Sequence, residues 1–294
     1  MRLFIKAILC WAAAVLSVPA IAADRADAVL HDPSRNRDIP IRVYWPHSGA
    51  GPFPLLVFSH GFGGSREGYE YLGNGWSAAG FVVIFPTHLG SDHDAFLQGG
   101  GQAARDPASA FHLQTERVAD IRFVLSSIEA IEQQVPAVRG RIDRNHIGVG
   151  GHSMGAGTAL LVGGARAGVP GGAIQSFRDE RVEAVVAMSP QGSGEEGFSD
   201  GSWEKVEIPV MTMSGTEDGG VNGEPPAWRL QPFQRMPAGQ KYQVTVAGAR
   251  HLSFAVGELF HPCILRETIA FWDAYLRSGK GGIESFGACK VTRK

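Results

Sequence analysis

Ile147-Gly148-Val149-Gly150-Gly151-His152-Ser153-Met154-Gly155-Ala156-Gly157 is the stretch that decides how the rest of the chain is read. His146 to Gly150 is a short run with strand character, and Met154 to about Ala167 has the composition of a helix. Between them one serine sits at a sharp corner. Gly151 and Gly155 stand two residues before and two after Ser153, where side chains would collide across such a corner. A G-x-S-x-G pattern at a strand-to-helix junction holds its serine in a strained backbone with Oγ exposed. The following helix turns its free N–H groups toward any negative charge developing there. With 39 glycines among 294 residues the same pattern also arises by chance as an ordinary turn. The strand on one side and the helix on the other are what make Ser153 the candidate nucleophile.

Outward from this corner, strand-like and helix-like segments alternate. Asp38 to Trp45 alternates apolar and polar residues, as a half-buried strand does. Pro54 to Ser59 and Phe81 to Pro86 are continuous apolar runs that suit central strands buried on both faces, with a helix over Tyr69 to Ala79 between them. Gly90 to Ala110 is polar and without period, and reads as a long loop. Val118, Ile121, Val124, Leu125, Ile128 and Ile131 recur at helical spacing and predict a helix over Gln114 to Gln134. Val182 to Met188, Val206 to Met213 and Tyr242 to Val246 are further strands. His261 to Leu276 is the last helix, with Pro262 in its first turn. The pattern predicts an α/β fold, a mostly parallel sheet covered by helices on both faces, in one domain over residues 23–294.

The stretch around Ser153, together with this element order over nearly the whole chain, resembles the α/β-hydrolase superfamily. Within it the chain looks closest to the dienelactone-hydrolase-like esterases, a grouping that takes in proteins similar to chlorophyllases, platelet-activating-factor acetylhydrolases and polyester-degrading cutinases. The resemblance implies an acid downstream of the nucleophile and a histidine last. Ser214-Gly215-Thr216-Glu217-Asp218 follows a predicted strand, and its Gly-x-x-Asp form designates Asp218, with Glu217 as competitor. Gly248-Ala249-Arg250-His251 follows the last strand and designates His251 as the base. His152 lies inside the corner and cannot reach round, and His261 opens a helix and reads as structural. Ser59-His60-Gly61-Phe62-Gly63-Gly64 resembles the family's H-G-x-G-G loop. The backbone N–H groups of Phe62 and Met154 are the implied oxyanion donors.

Substrate contacts are less well marked. Phe62, Met154 and Trp203 are candidate apolar walls, Trp203 being equally suited to a core. Residues 90–110 are too polar for an amphipathic lid, which favours a small or medium soluble ester over an emulsified one. His88, Asp92, His93 and Asp94 crowd one segment, but their spacing fits no common zinc signature and reads as a solvated polar loop. No metal or other cofactor is expected. The leading expectation is a carboxylic-ester hydrolase. A polymer ester, a lactone or an amide is the alternative bond, and a non-catalytic binding protein on the same scaffold is the remote alternative.

Composition sets the outer bounds. The chain has 27 basic and 29 acidic residues, a formal charge of -2 and 44% hydrophobic content, which excludes a basic nucleic-acid-binding surface. Arg2 and Lys6, the apolar run Ala7 to Val18 and Ala20-Ile21-Ala22 form a signal-peptide pattern over residues 1–22, too short for a stable membrane span. A retained N-terminal anchor is the alternative. Export to the periplasm or medium is expected. Cys10 would leave with the signal, so Cys263 and Cys289 are expected to form a disulfide, the alternative being two free thiols. The mature protein is expected to be a monomer.

Overall fold

The computed structural model describes residues 24–294 except 100, 170, 278, 280 and 281. The expected signal segment 1–22, with Cys10, lies outside the described residues. In chain order the elements are β1 (Asp24–Asp32), β2 (Arg37–Trp45), β3 (Phe53–Ser59), α1 (Glu70–Ala78), β4 (Val82–Pro86), α2 (His93–Gly99), α3 (Gln102–Arg105), α4 (Pro107–Ser126) and α5 (Ile128–Gln134). They continue with β5 (Ile142–His152), α6 (Met154–Val162), the short pair β6 (Arg166–Ala167) and β7 (Gln175–Ser176), β8 (Val182–Met188), β9 (Val210–Gly215), α7 (Gln231–Arg235), β10 (Lys241–Val246), α8 (Ser253–Val256), α9 (His261–Leu276) and β11 (Cys289–Arg293).

Nine strands form one sheet in the order β1-β2-β4-β3-β5-β8-β9-β10-β11. From β4 through β10 neighbours run parallel, while β1, β2 and β11 add antiparallel edges. Strand alternation sends Leu55 and Val57 into one apolar core and Leu56 and Phe58 into another. The first core packs against α4, α5 and α6, the second against α1 and α9. Both faces are therefore dry, and the central strands read as unbroken apolar runs for that reason. Two β5 glycines let tryptophans reach the sheet. A Cβ at Gly148 would lie 2.6 Å from the Trp272 ring, and one at Gly150 3.1 Å from Phe58 and 3.5 Å from Trp76.

Several expectations need correction. Residues 90–110 are not a loop but hold α2, α3 and the start of α4. Asp106 accepts a 2.8 Å hydrogen bond from the Ser109 N–H with Pro107 in the first turn, a helix-start signal that the glycine-rich composition obscured. The expected helix 114–134 breaks at Ser127 into α4 and α5. The helix after Ser153 ends at Val162, before Gly163 and Gly164, and the strand expected from Val206 begins at Val210, after Pro209. The edge strands β1 and β11 carry too few apolar residues to announce themselves.

Cys263 at the start of α9 is disulfide-bonded to Cys289, the first residue of β11, whose partner across the ladder is Val246. No helix among the described residues is long and apolar enough to cross a membrane.

Candidate active site

Backbone sterics build the corner first. Ser153 follows β5 with φ 56° and ψ -123°, and its N–H donates to the Met188 carbonyl at 2.9 Å. A Cβ on Gly151 would sit 2.0 Å from the Gly155 carbonyl oxygen, and one on Gly155 2.0 Å from that of Ser59. Any side chain at either place would push the corner open, which is the physical content of the two glycines.

The corner faces the loops beyond β9 and β10. Ser153 Oγ lies 2.9 Å from His251 Nε2, and His251 Nδ1 lies 3.1 Å from Asp218 Oδ1. An ionised Asp218 accepts the Nδ1 proton, which leaves the Nε2 lone pair facing the serine O–H. Asp218 is fully buried. Burial opposes its charge, but His251, Arg229 and Ser189 together hold its carboxyl below the usual range. Arg229 Nε is 2.6 Å from Asp218 Oδ1, and the Ser189 hydroxyl donates to Oδ2. The Arg229 guanidinium also donates to the carbonyls of Ser189 at 2.9 Å and Gly219 at 2.9 Å, tying the ends of β8 and β9 together. Nothing local in the sequence marks Arg229 or Ser189, and both escape sequence reasoning.

His152 has a different place from His251. It is buried, and burial together with the neighbouring His251 holds its ring neutral. Its Nδ1 is 2.7 Å from the Tyr69 hydroxyl and its Nε2 3.0 Å from the His251 carbonyl. The Gly61 N–H donates to the same hydroxyl at 3.3 Å, so one chain of hydrogen bonds links the Gly61 loop to the backbone of His251. Glu217 pairs with Arg250 at the surface at 2.9 Å, and His261 stacks on Tyr71, so neither enters the site.

Phe62 and Met154 line the same cavity as Ser153. Among the described residues the Phe62 N–H has no hydrogen-bond partner, while Gly61, Gly63 and Gly64 each donate to one. Met154 opens α6, where first-turn amides have no partner within the helix. The Ser153 carbonyl already accepts from Ala156 at 2.8 Å.

These groups border a cavity of about 290 Å³. Phe62, Phe96, Val221, Trp228 and Leu252 give it apolar walls, and Glu195, Glu196 and Glu224 line it too. The Glu196 carboxyl is buried, which raises it to about 7 against hydrogen bonds from Gln191 and Gln114. Trp203 is not part of this lining. It is fully buried, stacked on Phe198 with ring centroids 5.5 Å apart in the core beneath α6. A large apolar ring suits a cleft or a core equally, and here the core holds it.

The polar segment read as solvated is half buried. His88 is inaccessible, bonded to Ser59 and Asp120, and Asp92 accepts from the Ala95 N–H at the start of α2. Only His93 and Asp94 face water. No group of three metal-binding side chains occurs among the described residues.

Residues 56–280 match the model of the alpha/beta hydrolase family, a span that includes Ser153, Asp218 and His251. No curated protein matches the chain. The doubly covered parallel sheet and a match over most of the sequence agree, and the chain belongs to the alpha/beta hydrolase family.

Proposed function

We propose that the protein is a serine esterase that cleaves a carboxylic ester through an acyl-enzyme. The observation that carries this reading is the continuous relay Ser153–His251–Asp218 at the edge of an apolar cavity. His251 Nε2 takes the Ser153 proton as Oγ adds to the ester carbonyl carbon, and the carbonyl oxygen becomes an oxyanion facing the Phe62 and Met154 amides. Collapse breaks the bond to the alkoxide, which leaves with the proton from His251. Water then repeats the sequence on the acyl-serine and releases the acid. Asp218 fixes the imidazole tautomer and stabilises the imidazolium, and Arg229 and Ser189 keep it charged and still.

The cavity volume suits a small or medium acyl or alcohol group. The family resemblance extends this to the dienelactone-hydrolase-like esterases, supported by the His60-Gly61-Phe62-Gly63-Gly64 loop. The disulfide fits an oxidising compartment and so the exported state that residues 1–22 suggest. Purified protein is expected to hydrolyse short-chain p-nitrophenyl esters and to take a fluorophosphonate label on Ser153. The absence of both turnover and label would end this reading. A second reading, an insoluble or polymeric ester, is favoured by Phe96, Val221 and Leu252, which line the cavity and are exposed at its mouth. Soluble monomer released from a polyester film tests it.

A further inference from the structure

Arg117 of α4 is a buried cation without a carboxylate partner. It is 1% exposed, and among the described residues it makes no ion pair. Its neighbours are all uncharged: oxygens of Ser59, His60, Gly61 and Ser91, and the His60 ring, whose Nδ1 lies 3.4 Å from Nη2. Nε donates to Ser91 Oγ at 2.8 Å, and Nη1 donates to the His60 carbonyl at 2.5 Å and to Ser59 Oγ at 3.3 Å. Nη2 lies 3.4 Å from the Ser91 carbonyl and 3.5 Å from that of Gly61. Glu196, Asp120 and Asp92 act on it only through space. Buried charges are normally paired, because desolvating an ion costs several kcal/mol in a protein interior. Here the nearby carboxylates stay out of contact, and no opposite charge touches the guanidinium in the ground state.

A further negative charge can develop on the substrate side of the Gly61–Phe62 peptide. The Gly61 carbonyl belongs to the peptide whose N–H is that of Phe62. It is held on the buried side by His60 Nδ1 at 2.7 Å, by the Gly64 N–H at 3.0 Å and by Arg117. In a planar trans peptide the N–H points opposite to the C=O. Gripping the carbonyl from the core therefore turns the Phe62 N–H toward the cavity beside Ser153. The Ser91 carbonyl, also held by Arg117, accepts from the Gly63 N–H at 2.9 Å and fixes the next peptide. Three residues earlier on the same helix, Gln114 donates to the Met154 carbonyl at 2.8 Å and steadies the first turn of α6.

We propose that Arg117 is a positioning residue for the oxyanion. It orients and polarises the Gly61–Phe62 peptide, and its unpaired positive charge is balanced when a tetrahedral oxyanion forms on the far side of that peptide. This inference rests on the esterase reading above. An interaction that strengthens only as charge develops lowers the barrier without tightening substrate binding, so the effect belongs in kcat.

The test compares wild type, Arg117→Lys and Arg117→Gln on a p-nitrophenyl ester, together with inhibition by a boronic acid that forms a tetrahedral adduct on the serine. Folding is checked by circular dichroism. In Arg117→Gln, kcat is expected to fall by about 10- to 100-fold, less than loss of a direct oxyanion donor. KM stays within about threefold, and boronate affinity weakens by the same factor as kcat. Arg117→Lys, which keeps the charge, recovers part of both losses. A folded Arg117→Gln with wild-type kcat, or with the whole loss in KM, overturns the proposal. If that variant does not fold, Ser91→Ala decides. It frees the Nε grip, at the cost of one further hydrogen bond from Ser91 Oγ to the His88 carbonyl, and parallel losses of about three- to tenfold in kcat and boronate affinity are expected. Unchanged values in Ser91→Ala overturn the proposal. A wild type that neither turns over esters nor labels on Ser153 overturns the esterase reading and this inference with it. Active wild type with an unaffected, folded Arg117→Gln overturns this inference alone.

Discussion

Two relays of serine, histidine and aspartate lie in this molecule. In one, Ser153 Oγ is 2.9 Å from His251 Nε2 and His251 Nδ1 is 3.1 Å from Asp218. In the other, Ser59 Oγ is 3.0 Å from His88 Nε2 and His88 Nδ1 is 2.9 Å from Asp120. Each aspartate is backed by arginine, Asp218 by Arg229 and Asp120 by Arg37 and Arg35. The atoms and the connectivity are the same, but the surroundings differ. Ser59 ends a regular strand and pairs with Gly151 across the ladder, whereas Ser153 sits at a left-handed corner. His88 is sealed, while His251 keeps 24% of its side-chain surface open beside the cavity. The relay is thus an ordinary way to satisfy buried polar groups. Access to the cavity and a strained serine backbone are what set one copy apart.

Paired substitutions test this contrast. Ser153→Ala is expected to cut ester turnover by about 10⁴- to 10⁶-fold with the fold intact, the largest effect in the molecule. Residual turnover near wild type would place the nucleophile elsewhere. Asp218→Asn is expected to lower kcat about 10⁴-fold by favouring the wrong histidine tautomer, measured on soluble esters. The matching change in the sealed relay, Asp120→Asn, should act on stability instead. It strands Arg37, while Arg35 keeps Asp32 and Glu116; it costs about 3 kcal/mol in denaturant melts and leaves kcat per folded molecule within about tenfold. A loss of activity as large as that from Asp218→Asn would erase the distinction drawn here.

Acid should also separate the relays. Burial lowers His88 to about 4 from 6.5, so it stays neutral in the fold while an unfolded His88 takes a proton as pH falls below 6.5. Asp120 is lowered to about 2 from 3.8; burial opposes this, and His88 and Arg37 outweigh it. It therefore contributes stability above pH 3.8 that is lost as pH falls toward 2. Both shifts have the same sign, so stability drops as pH is lowered, by about 3 kcal/mol from His88 alone. His88→Gln should flatten the fall of Tm between pH 6.5 and 4, and an unchanged slope would assign it to other groups. Smallest of all, Ser59→Ala should cost about 1–2 kcal/mol of stability and less than tenfold in kcat, for the lost contacts of Ser59 Oγ with His88 and Arg117.

The sequence makes one of these relays legible and hides the other. Ser153 can be found because Gly151 and Gly155 record a clash between backbones a few residues apart. Asp218 and His251 follow from chain order once the family resemblance is recognised. Ser59, His88 and Asp120 come from the ends of two strands and the middle of α4, and no local pattern ties them together. The same holds for Arg229 and Arg117, each placed by elements far along the chain. Gln114, Arg117 and Asp120 do recur every three residues beside the apolar stripe of α4, a polar line on a buried face. That line is the signal the sequence offers, masked because the apolar positions alone account for the helix. Trp203 shows the opposite limit: its chemistry fits a cleft wall, and only packing assigns it to the interior.

The last strand has a further consequence. Without β11, the row of N–H and C=O groups along the outer side of β10 would be open to any passing extended chain. β11 covers that row, and the Cys263–Cys289 bond clips its first residue to a helix. Reduction should therefore matter more in a crowded solution than in a dilute one. The freed tail can lift away, and molecules can join side by side through the uncovered strand, so turbidity after reduction should rise steeply with protein concentration while the oxidised protein stays clear.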